Sequence, residues 1–473
     1  MPDAVIVGAG PNGLVAGITL ARAGWAVTCF EASTTIGGGT RSAELTSPGF
    51  VHDVCAAIHP LALASPALAD LPLADHGLEW IHPSAPLAHP LDGGRAAILE
   101  RSVADTAHGL GNDGRAYERL FGPLVEHGTE IVDAMLSPLR VPRAPIALAR
   151  FGVSAIRPAA SLARARFADD EARALLAGVA GHSMLSLDAV GTGGYGMFLA
   201  LLGHLVGWPM AAGGSQRLAD ALASLLRKHG GEIVTDHEVT SLRELPPADV
   251  TVLDVTPRQL LRIAGDAVPS RYARSLAKYR YGPGVFKIDW ALDGPVPWTA
   301  PGVARAATVH VGGTLGEVTA GEAAVQAGSH PERPFVLFVQ PSSFDASRAP
   351  AGKHTAWAYC HVPSGSDVDQ SAAIEQQVER FAPGFRDQIL ARHTMGPTRL
   401  ESYNANYIGG DINGGMGDLR QLVTRPVIAR VPWKTPIPGV YLCSSSTPPG
   451  GGVHGMCGWH AAQAVRRDHR GRG

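Results

Sequence analysis

The chain has 473 residues, of which 45% are hydrophobic and 17% are charged, so it is long enough for about three structural units and lacks the low hydrophobicity of disordered proteins. Forty basic against 42 acidic side chains give a net charge of −2, which excludes the strong positive charge of a dedicated nucleic-acid-binding protein. The five cysteines form no Cys-X-X-Cys pair and fit neither a disulfide framework nor a zinc site. We therefore expect a globular protein with no nucleic-acid partner and no bound metal.

The first predicted elements form a strand, a glycine turn and a helix. Residues 4–8 have the pattern of a short buried strand, and a helix is predicted from Leu14 to Ala23. In the turn between them, Gly8 allows a tight bend, Gly10 allows the backbone to approach a pyrophosphate, and Gly13 allows the helix to pack closely on the strand. Pro11 and Asn12 complete the turn at the start of the helix, where free N–H groups favour an anion.

A second predicted strand, Trp25 to Phe30, ends at Glu31 and completes the strand-helix-strand unit. Glu31 follows Gly13 by 18 residues, close to the usual offset of about 20 for an acid that binds a ribose. Its charge would repel a 2′-phosphate. The unit therefore predicts a site for FAD or NAD rather than NADP.

The middle of the chain predicts a change from helices to strands. Residues 61–210 alternate Ala/Leu-rich helical segments with prolines, which indicates an inserted cap. Further predictions are a helix from Gln216 to His229 and strands over 232–242 and 250–255, and residues 275–400 carry alternating strand patterns that suit a sheet.

Within the cap, two features bear on where in the cell the protein acts. The segment from Arg140 to Arg166 holds six arginines, four of them seven residues apart at 143, 150, 157 and 164. This spacing favours one side of a helix, although Pro145 and Pro158 interrupt the register, so both a solvated helix face and a peripheral contact with a membrane remain open. The chain has no run of about 18 apolar residues and begins directly with a predicted strand, which predicts a cytoplasmic protein.

A second glycine-rich turn lies near the C-terminus. The predicted strand Gly439 to Cys443 is followed by three serines, 444–446, then by the run 450–456 and a last helix. Backbone N–H groups at the start of that helix would stabilise negative charge on a reduced flavin, which favours FAD over NAD. The alternative interpretation is a glycine-rich surface loop.

The sequence resembles the phytoene dehydrogenase-related branch of the superfamily of FAD-dependent amine oxidases and carotenoid desaturases. The stretches that carry the resemblance span nearly the whole chain: IGGGTRSAELTSPGFVHDVCAAIHPLA (36–62), GWPMAAGGSQRLADAL (207–222), YGPGVFKIDWALDGPVPW (281–298), YNANYIGGDINGGMGDLRQL (403–422) and YLCSSSTPPGGGVHGMCGWHAA (441–462).

The resemblance implies an α/β fold, namely an FAD-binding Rossmann-type domain of the two-dinucleotide-binding-motif flavoproteins with a mixed-sheet substrate domain and a helical cap. We expect a discontinuous FAD-binding domain from residues 1–75, 206–274 and 426–473. Residues 76–205 would form the cap and residues 275–425 the substrate-domain sheet.

The resemblance also implies further contacts to FAD. Gly38, Gly39 and Arg41 would lie near the pyrophosphate, and the backbone of Val239 would hold the adenine end. Ser444 to Ser446 replace the acid or small polar residue that the superfamily has after this strand, so a contact there would come from a hydroxyl or be lost. The predicted cofactor-binding residues are Gly8, Gly10, Pro11, Asn12, Gly13, Glu31, Gly38, Gly39, Arg41, Val239, Ser445, Gly452, Val453, His454 and Met456.

Four residues are candidates for the chemistry. On the predicted strand 285–292, the period of two places Lys287 opposite the apolar set that contains Phe286, and the resemblance identifies Lys287 with the lysine that amine oxidases hold near flavin N5. The alternative is a solvent-facing lysine paired with Asp289. His59 lies where related enzymes bring the chain past the flavin, as do His52, Asp53 and Cys55. His454, like His182, is a candidate for proton transfer, and Asp411 would face the cavity or hold a turn.

The sequence therefore predicts an FAD-dependent oxidoreductase that dehydrogenates C–C bonds of an apolar small molecule by hydride transfer to flavin N5, with oxygen or a quinone as electron acceptor. Two alternatives remain open: a flavin amine oxidase that acts on a C–N bond, and a flavin-binding protein with mainly a partner-binding role.

Overall fold

The structure, a computed structural model, describes residues 1–138 and 143–470. Its strands are β1 (Asp3–Val7), β2 (Ala26–Phe30), β3 (Ser42–Glu44), β4 (Val51–Asp53), β5 (Trp80–Ile81), β6 (Ala85–Leu91), β7 (Arg95–Leu99), β8 (Met210–Ala211), β9 (Glu232–Val234), β10 (Val250–Leu253), β11 (Gly284–Leu292), β12 (Ala306–Val311), β13 (Val336–Val339), β14 (His354–Val362), β15 (Ile389–Met395) and β16 (Val440–Leu442).

The α-helices are α1 (Pro11–Ala21), α2 (Pro60–Ala64), α3 (Pro66–Ala69), α4 (Val103–Gly109), α5 (Gly114–Val125), α6 (Gly128–Met135), α7 (Pro145–Ala155), α8 (Ala159–Arg166), α9 (Asp170–Gly181), α10 (Thr192–Leu205), α11 (Gln216–Lys228), α12 (Pro257–Ala264), α13 (Ser270–Leu276), α14 (Leu315–Gln326), α15 (Ser371–Phe381), α16 (Pro397–Tyr403), α17 (Leu419–Thr424) and α18 (Met456–Arg470).

A five-stranded parallel sheet forms the dinucleotide-binding half of the molecule, with strand order β16-β10-β1-β2-β9. Both faces are covered, as a parallel sheet requires, and α1, α11 and α18 share one apolar core with it. All five strands come from the three segments predicted to form the FAD-binding domain. The bounds of the domains themselves stay a prediction.

A seven-stranded mixed sheet forms the other half, with strand order β15-β11-β14-β13-β12-β6-β7. Its one parallel pair is β12 with β6, and the other pairs are antiparallel. The segment 76–205, predicted as a helical cap and part of the substrate domain, also supplies β6 and β7 to this sheet. The helices α4 to α10 of that segment pack on the sheet through a shared core. The predicted fold class, a Rossmann-type flavoprotein with a mixed-sheet substrate domain, is confirmed.

One local prediction was wrong, and another is confirmed. The strand expected over 232–242 is only β9, residues 232–234, and the chain then leaves the sheet. The arginine-bearing segment is broken at Pro158 as expected, since α7 and α8 meet at 101°. Arg140 lies outside the described residues. In the described part of the chain, no single helix is long and apolar enough to cross a membrane, and the bent pair α7 and α8 passes that test only when taken together.

Candidate functional site

A cavity of about 980 Å³ opens at the carboxyl ends of the parallel strands. Gly8 after β1, Glu31 after β2, Asp254 after β10 and Ser444 after β16 all line it. The strand order changes direction between β1 and β10, and ligands of open α/β sheets bind at such a point. The cavity continues between the cap and the mixed sheet.

The first glycine turn brings bare backbone to the cavity. Gly8 has φ 100°, and a Cβ atom on Gly13 would overlap the Gly8 carbonyl oxygen, so α1 packs on β1 as closely as only glycine allows. Gly10, Pro11 and Asn12 line the cavity, whereas Gly13 lies behind them. Among the described residues, the buried Oδ1 of Asn12 has no hydrogen-bond partner.

The segment that holds Gly38 and Gly39 covers this turn. A Cβ on Gly38 would lie 3.3 Å from the Cα of Gly10, and one on Gly39 would overlap the hydroxyl of Tyr407. Both glycines line the cavity with Arg41. Because both segments have glycine here, this part of the cavity stays open, whereas side chains at these positions would fill it.

Glu31 is buried at the rim of the turn. Its carboxylate accepts hydrogen bonds from the N–H groups of Ala9 (2.9 Å) and Ser33 (3.0 Å), and it pairs with Arg41 Nη2 at 3.0 Å. The N–H of His237 donates to the Glu31 carbonyl oxygen (2.9 Å), which holds the segment containing Val239 beside it. Glu31, Arg41 and Val239 therefore lie together at one end of the cavity.

Asp254 was not predicted from the sequence. Its Oδ2 accepts the N–H of Gly13 at 3.0 Å, inside the first turn of α1, and a Cβ on Gly10 would lie 3.1 Å from the same atom. Burial raises the pKa of Asp254 to about 7, the Gly13 hydrogen bond opposes the rise, and the charge of Glu31 adds to it. The only sequence signal is its position directly after a strand of the parallel sheet.

The second glycine turn also lines the cavity, through Ser445, Gly452, Val453 and His454 but not through Met456. The N–H of Met456 donates to Nδ1 of His454 (3.0 Å), so Nε2 carries the proton and lies 3.2 Å from the Gly450 carbonyl oxygen. Burial lowers the pKa of His454 to about 4. Both ring nitrogens hold the turn, which leaves neither free to move a substrate proton.

The serines that replace the expected acid act mainly within the turn. Ser444 accepts the N–H of Ser446 (3.3 Å), and the Ser446 hydroxyl donates to Gly414 (2.7 Å). Arg425, which was not predicted, donates to the carbonyl oxygen of Ser445 at 3.0 Å and lines the cavity. This guanidinium is buried, and its Nε has no hydrogen-bond partner in the described part of the chain.

These residues fit an extended flavin dinucleotide. Two glycine turns offer backbone N–H groups at two helix N-termini, Asn12 offers an unused acceptor, and Glu31 lies where a ribose-binding acid belongs.

The part of the cavity under the cap is apolar and aromatic. Trp208 and Phe198 line it from the cap, while Trp357 and Tyr359 line it from β14 with their rings stacked, 6.0 Å between centroids and 14° between planes. His182 also lines it, and its Nε2 lies 2.9 Å from Nε2 of the buried His310. Burial lowers the pKa of His182 to about 3, so its imidazole is neutral at pH 7.

His59 lines the cavity close to a buried ionic network. Its Nε2 lies 2.8 Å from the Ser215 hydroxyl, and burial lowers its pKa to about 4. The N–H of Ser215 donates to Asp53 (2.7 Å), which pairs with Arg348 at 2.9 Å. Burial alone would raise the pKa of Asp53, but the Arg348 guanidinium with the Ser215 and Ser42 hydrogen bonds holds it below its usual value. His59 is therefore fixed in place from behind.

Lys287 is buried but is not among the described residues that line the cavity. It pairs with Asp289, and its Nζ lies 5.0 Å from the centre of the Trp357 ring. The predicted alternation is present, since Phe286 packs in the core on the other face of β11. The interpretation of Lys287 as solvent-facing was wrong, whereas its pairing with Asp289 is present. A role for this charge near a flavin stays a prediction.

Asp411 holds a turn. Its carboxylate accepts the N–H of Gly282 (2.7 Å) and of Asn413 (2.8 Å), and it is fully buried outside the cavity lining.

Over residues 1–138 and 143–470 no group of three His, Cys, Asp or Glu side chains is placed to hold a metal ion. All five cysteines are unpaired, and Cys55 lines the cavity.

Comparisons with known proteins agree with this geometry. Residues 6–72 match the family model of the NAD(P)-binding Rossmann-like domain. The chain is 27% identical to pyridine nucleotide-disulfide oxidoreductase domain-containing protein 2 of Rattus norvegicus, over 98% of this chain and 93% of that protein. It superposes on an oxidoreductase from Methanosarcina mazei with a TM-score of 0.65 and 16% identity, over 98% and 100% of the two chains. It also superposes on wild-type putrescine oxidase bound to putrescine with a TM-score of 0.63 and 16% identity, over 99% of each chain. The family model and the superpositions agree with the Rossmann-type fold of this chain.

Proposed function

We propose that the protein is an FAD-dependent oxidoreductase of the phytoene dehydrogenase-related branch and that it dehydrogenates a C–C bond of an uncharged, largely apolar small molecule. One observation carries the proposal: a single cavity is lined by both glycine turns and continues into apolar and aromatic walls. When bound, FAD supplies a hydride acceptor, and oxygen or a quinone would accept the electrons afterwards.

The residues of the chain bind, orient and exclude water. The turn at Gly10 and the carboxylate of Glu31 would bind the dinucleotide, and His454 keeps the second turn in shape. The cap closes the far part of the cavity with apolar side chains such as Phe151 and Leu199, which keep water from a reacting carbon.

The distribution of charge favours an uncharged substrate. Among the described lining residues the acids are Glu31, Glu238 and Asp254, and all three lie at the dinucleotide end. Glu238 is paired there with Arg262 at 2.9 Å. A cationic amine under the cap would therefore meet no carboxylate.

Amine oxidation is the second candidate, and the stacked pair Trp357 and Tyr359 favours it. Aromatic faces attract ammonium ions. The cap contains few aromatic residues, but β14 supplies these two from the mixed sheet. Lys287 lies behind Trp357 and does not line the cavity, so it would not contact an amine substrate there.

The test is an absorption spectrum of the purified protein, followed by anaerobic titration with candidate substrates. We expect an oxidised-flavin spectrum that is bleached by a polyene or another apolar alkene precursor and not by primary amines. Bleaching by amines alone would replace the first candidate with the second. Bound flavin that no substrate reduces would favour a partner-binding role, and a protein that binds no flavin would refute both enzymatic proposals.

A control separates chemistry under the cap from the loss of cofactor. Tyr359→Phe changes one partly exposed group in the apolar part of the cavity, far along the chain from either glycine turn. We expect it to keep the flavin content of the wild type while it changes the rate of bleaching.

A further inference from the structure

Six exposed apolar side chains surround one end of the cavity. They are here called the mouth patch, and they are Ile146, Val153, Ile156, Val190, Leu419 and Val423, whose exposed fractions run from 38% to 72%. Contiguous exposed apolar surface on a protein marks a site of interaction.

The members of the mouth patch are neighbours in space. Ile146 and Val153 lie seven residues apart on the outer face of α7, whose inner face is buried through Ala147 and Phe151. The Ile156 carbonyl oxygen accepts the N–H of Gly191 at 2.9 Å.

The third side of the patch comes from α17. A Cβ on Gly191 would lie 2.7 Å from the side chain of Leu419, so Ile156, Val190 and Leu419 meet around this glycine. Val423 follows Leu419 by one helical turn. Three separate segments of the chain therefore supply one surface.

The same surface is an entrance to the cavity. Ile156 and Leu419 are exposed and also line the cavity, as do Met135 and Gly152 beside them. Phe151 and Leu422 continue the apolar wall inward. Apolar surface therefore runs from the mouth patch into the cavity.

The charge around the mouth patch is positive. Residues 143–166 and 419–430 contain eight arginines and no Asp or Glu, although the whole chain has a net charge of −2. The acids that flank Val190 and Leu419 in the chain are Asp188 and Asp418, and Asp418 pairs with Arg280. Arg425 is buried, whereas Arg150, Arg420 and Arg430 are exposed, and the side chain of Arg143 is 78% exposed. Asp133 and Asp188 approach Arg143 and Arg164 only to 4.0 Å.

We propose that the mouth patch docks on the surface of an anionic lipid bilayer. Aliphatic side chains would enter the interface while arginines contact anionic headgroups, which is the chemistry of helices that lie in a membrane surface. That this contact delivers an apolar substrate rests on the proposed function, whereas the docking itself does not.

The experiment is sedimentation of the full-length purified protein with vesicles, in its flavin-loaded form where it retains flavin. Vesicles of equal parts phosphatidylcholine and phosphatidylglycerol are compared with vesicles of phosphatidylcholine alone. We expect binding to the anionic vesicles, weaker binding to the neutral ones, and release at high salt, where headgroup attraction is screened.

Two variants and a control locate the contact. Ile146→Ser with Val153→Ser should weaken binding about tenfold or more, because it removes aliphatic area from the interface. Arg150→Gln should weaken it about fivefold on anionic vesicles only. The matched control is Val368→Ser with Leu390→Ser, exposed at 49% and 53% outside the mouth patch, and it should bind as the wild type does.

Several outcomes overturn the proposal. The first is an absence of binding to anionic vesicles, and the second is equal weakening of binding by the control pair. The third is a wild-type dimer that the Ile146→Ser and Val153→Ser variant converts to a monomer, because the patch would then be an interface between copies. Flavin absorbance of the same samples keeps the two proposals apart. Vesicle binding without flavin refutes only the proposed function, and flavin without vesicle binding refutes only the docking.

Discussion

Replacing Gly10 by alanine should remove most of the affinity for FAD and leave the fold in place. Gly10 has φ −75° and ψ 172°, a conformation that alanine adopts freely, and its Cβ would meet only a carboxylate oxygen of Asp254 at 3.1 Å. Replacing glycine in such a conformation stabilises a protein by about 0.4–1 kcal/mol, which the close contact offsets. We therefore expect the free energy of unfolding of the apoprotein to change by less than about 1 kcal/mol.

The effect on the cofactor is larger because the new methyl group would occupy the space between the first turn and a pyrophosphate. Loss of two N–H bonds to a charged acceptor, at about 1.5–3 kcal/mol each, amounts to about 3–6 kcal/mol. This corresponds to a Kd for FAD raised by about 100-fold to 10,000-fold.

Two further variants calibrate the measurement, which combines urea unfolding of the apoprotein with fluorescence titration by FAD. Gly13→Ala places its Cβ against the Gly8 carbonyl oxygen and should lower the free energy of unfolding by about 3 kcal/mol or more. Gly109→Ala, at the end of α4 with no atom within 4 Å of its Cβ, should leave FAD affinity unchanged. Stoichiometric FAD with an unaltered Kd in the Gly10 variant would refute the reasoning.

Three other predictions follow from the buried charges. Glu31→Gln should lower FAD affinity about tenfold or more and destabilise the protein, because it removes the acceptor of a ribose and leaves Arg41 buried without its partner; titration and urea unfolding measure the two effects. Lys287→Met should keep normal flavin content while slowing flavin reduction or reoxidation in stopped-flow absorbance, and unchanged rates of both half-reactions would make the residue structural. Arg348→Met should cost about 3–5 kcal/mol by leaving Asp53 unpaired, and a second change, Asp53→Asn, should restore part of that loss. Because the folded-state pKa of Asp53 lies below its unfolded value, the wild type should lose this stability as the pH falls through the folded pKa. Urea unfolding measured from pH 7 downward should therefore show a smaller loss of unfolding free energy in the Arg348 variant than in the wild type.

Local patterns predicted most of the dinucleotide-binding half, although the strand expected over 232–242 was too long. The bounds of β1, β2 and α11 lie within a residue or two of the prediction, and α1 begins three residues earlier at Pro11, because proline is favoured at the first position of a helix. These elements have strong periodicity and glycine turns at their ends. The turn residues that contact the cavity could be read from the sequence for the same reason.

The elements that the sequence did not predict have local patterns that argue against the structure they form. β6 contains Pro86 and Pro90 yet lies inside the sheet, between β12 and β7. Proline cannot donate to a ladder, so the sequence argued against a strand there. The pairing register shows how the sheet accommodates the two prolines. β6 pairs with β12 through Ala85, Leu87 and Ala88, and neither proline is among these residues.

The missed site residues reach the cavity only through tertiary structure. Asp254 and Arg425 are single charged residues with no repeated spacing, and Tyr359 belongs to a strand whose pairing with β11 determines which face it occupies. No local pattern reports such placement. Similarly, Asp411 and His454 were noticed as polar residues in glycine-rich segments, but their hydrogen-bonding partners became visible only in the structure.

The discontinuity of the parallel sheet has a consequence for the order of assembly. β1 pairs with β10, and β10 in turn pairs with β16, which is formed by residues 440–442. The helix after β16 packs so closely on α1 that a Cβ on Gly458 would overlap the Asn12 carbonyl oxygen. β2 follows β1 closely in the chain, but on a ribosome the first glycine turn waits for β10, β16 and α18. The dinucleotide-binding site of the nascent protein would therefore be completed late, only after the segment that contains β16 and α18 leaves the exit tunnel.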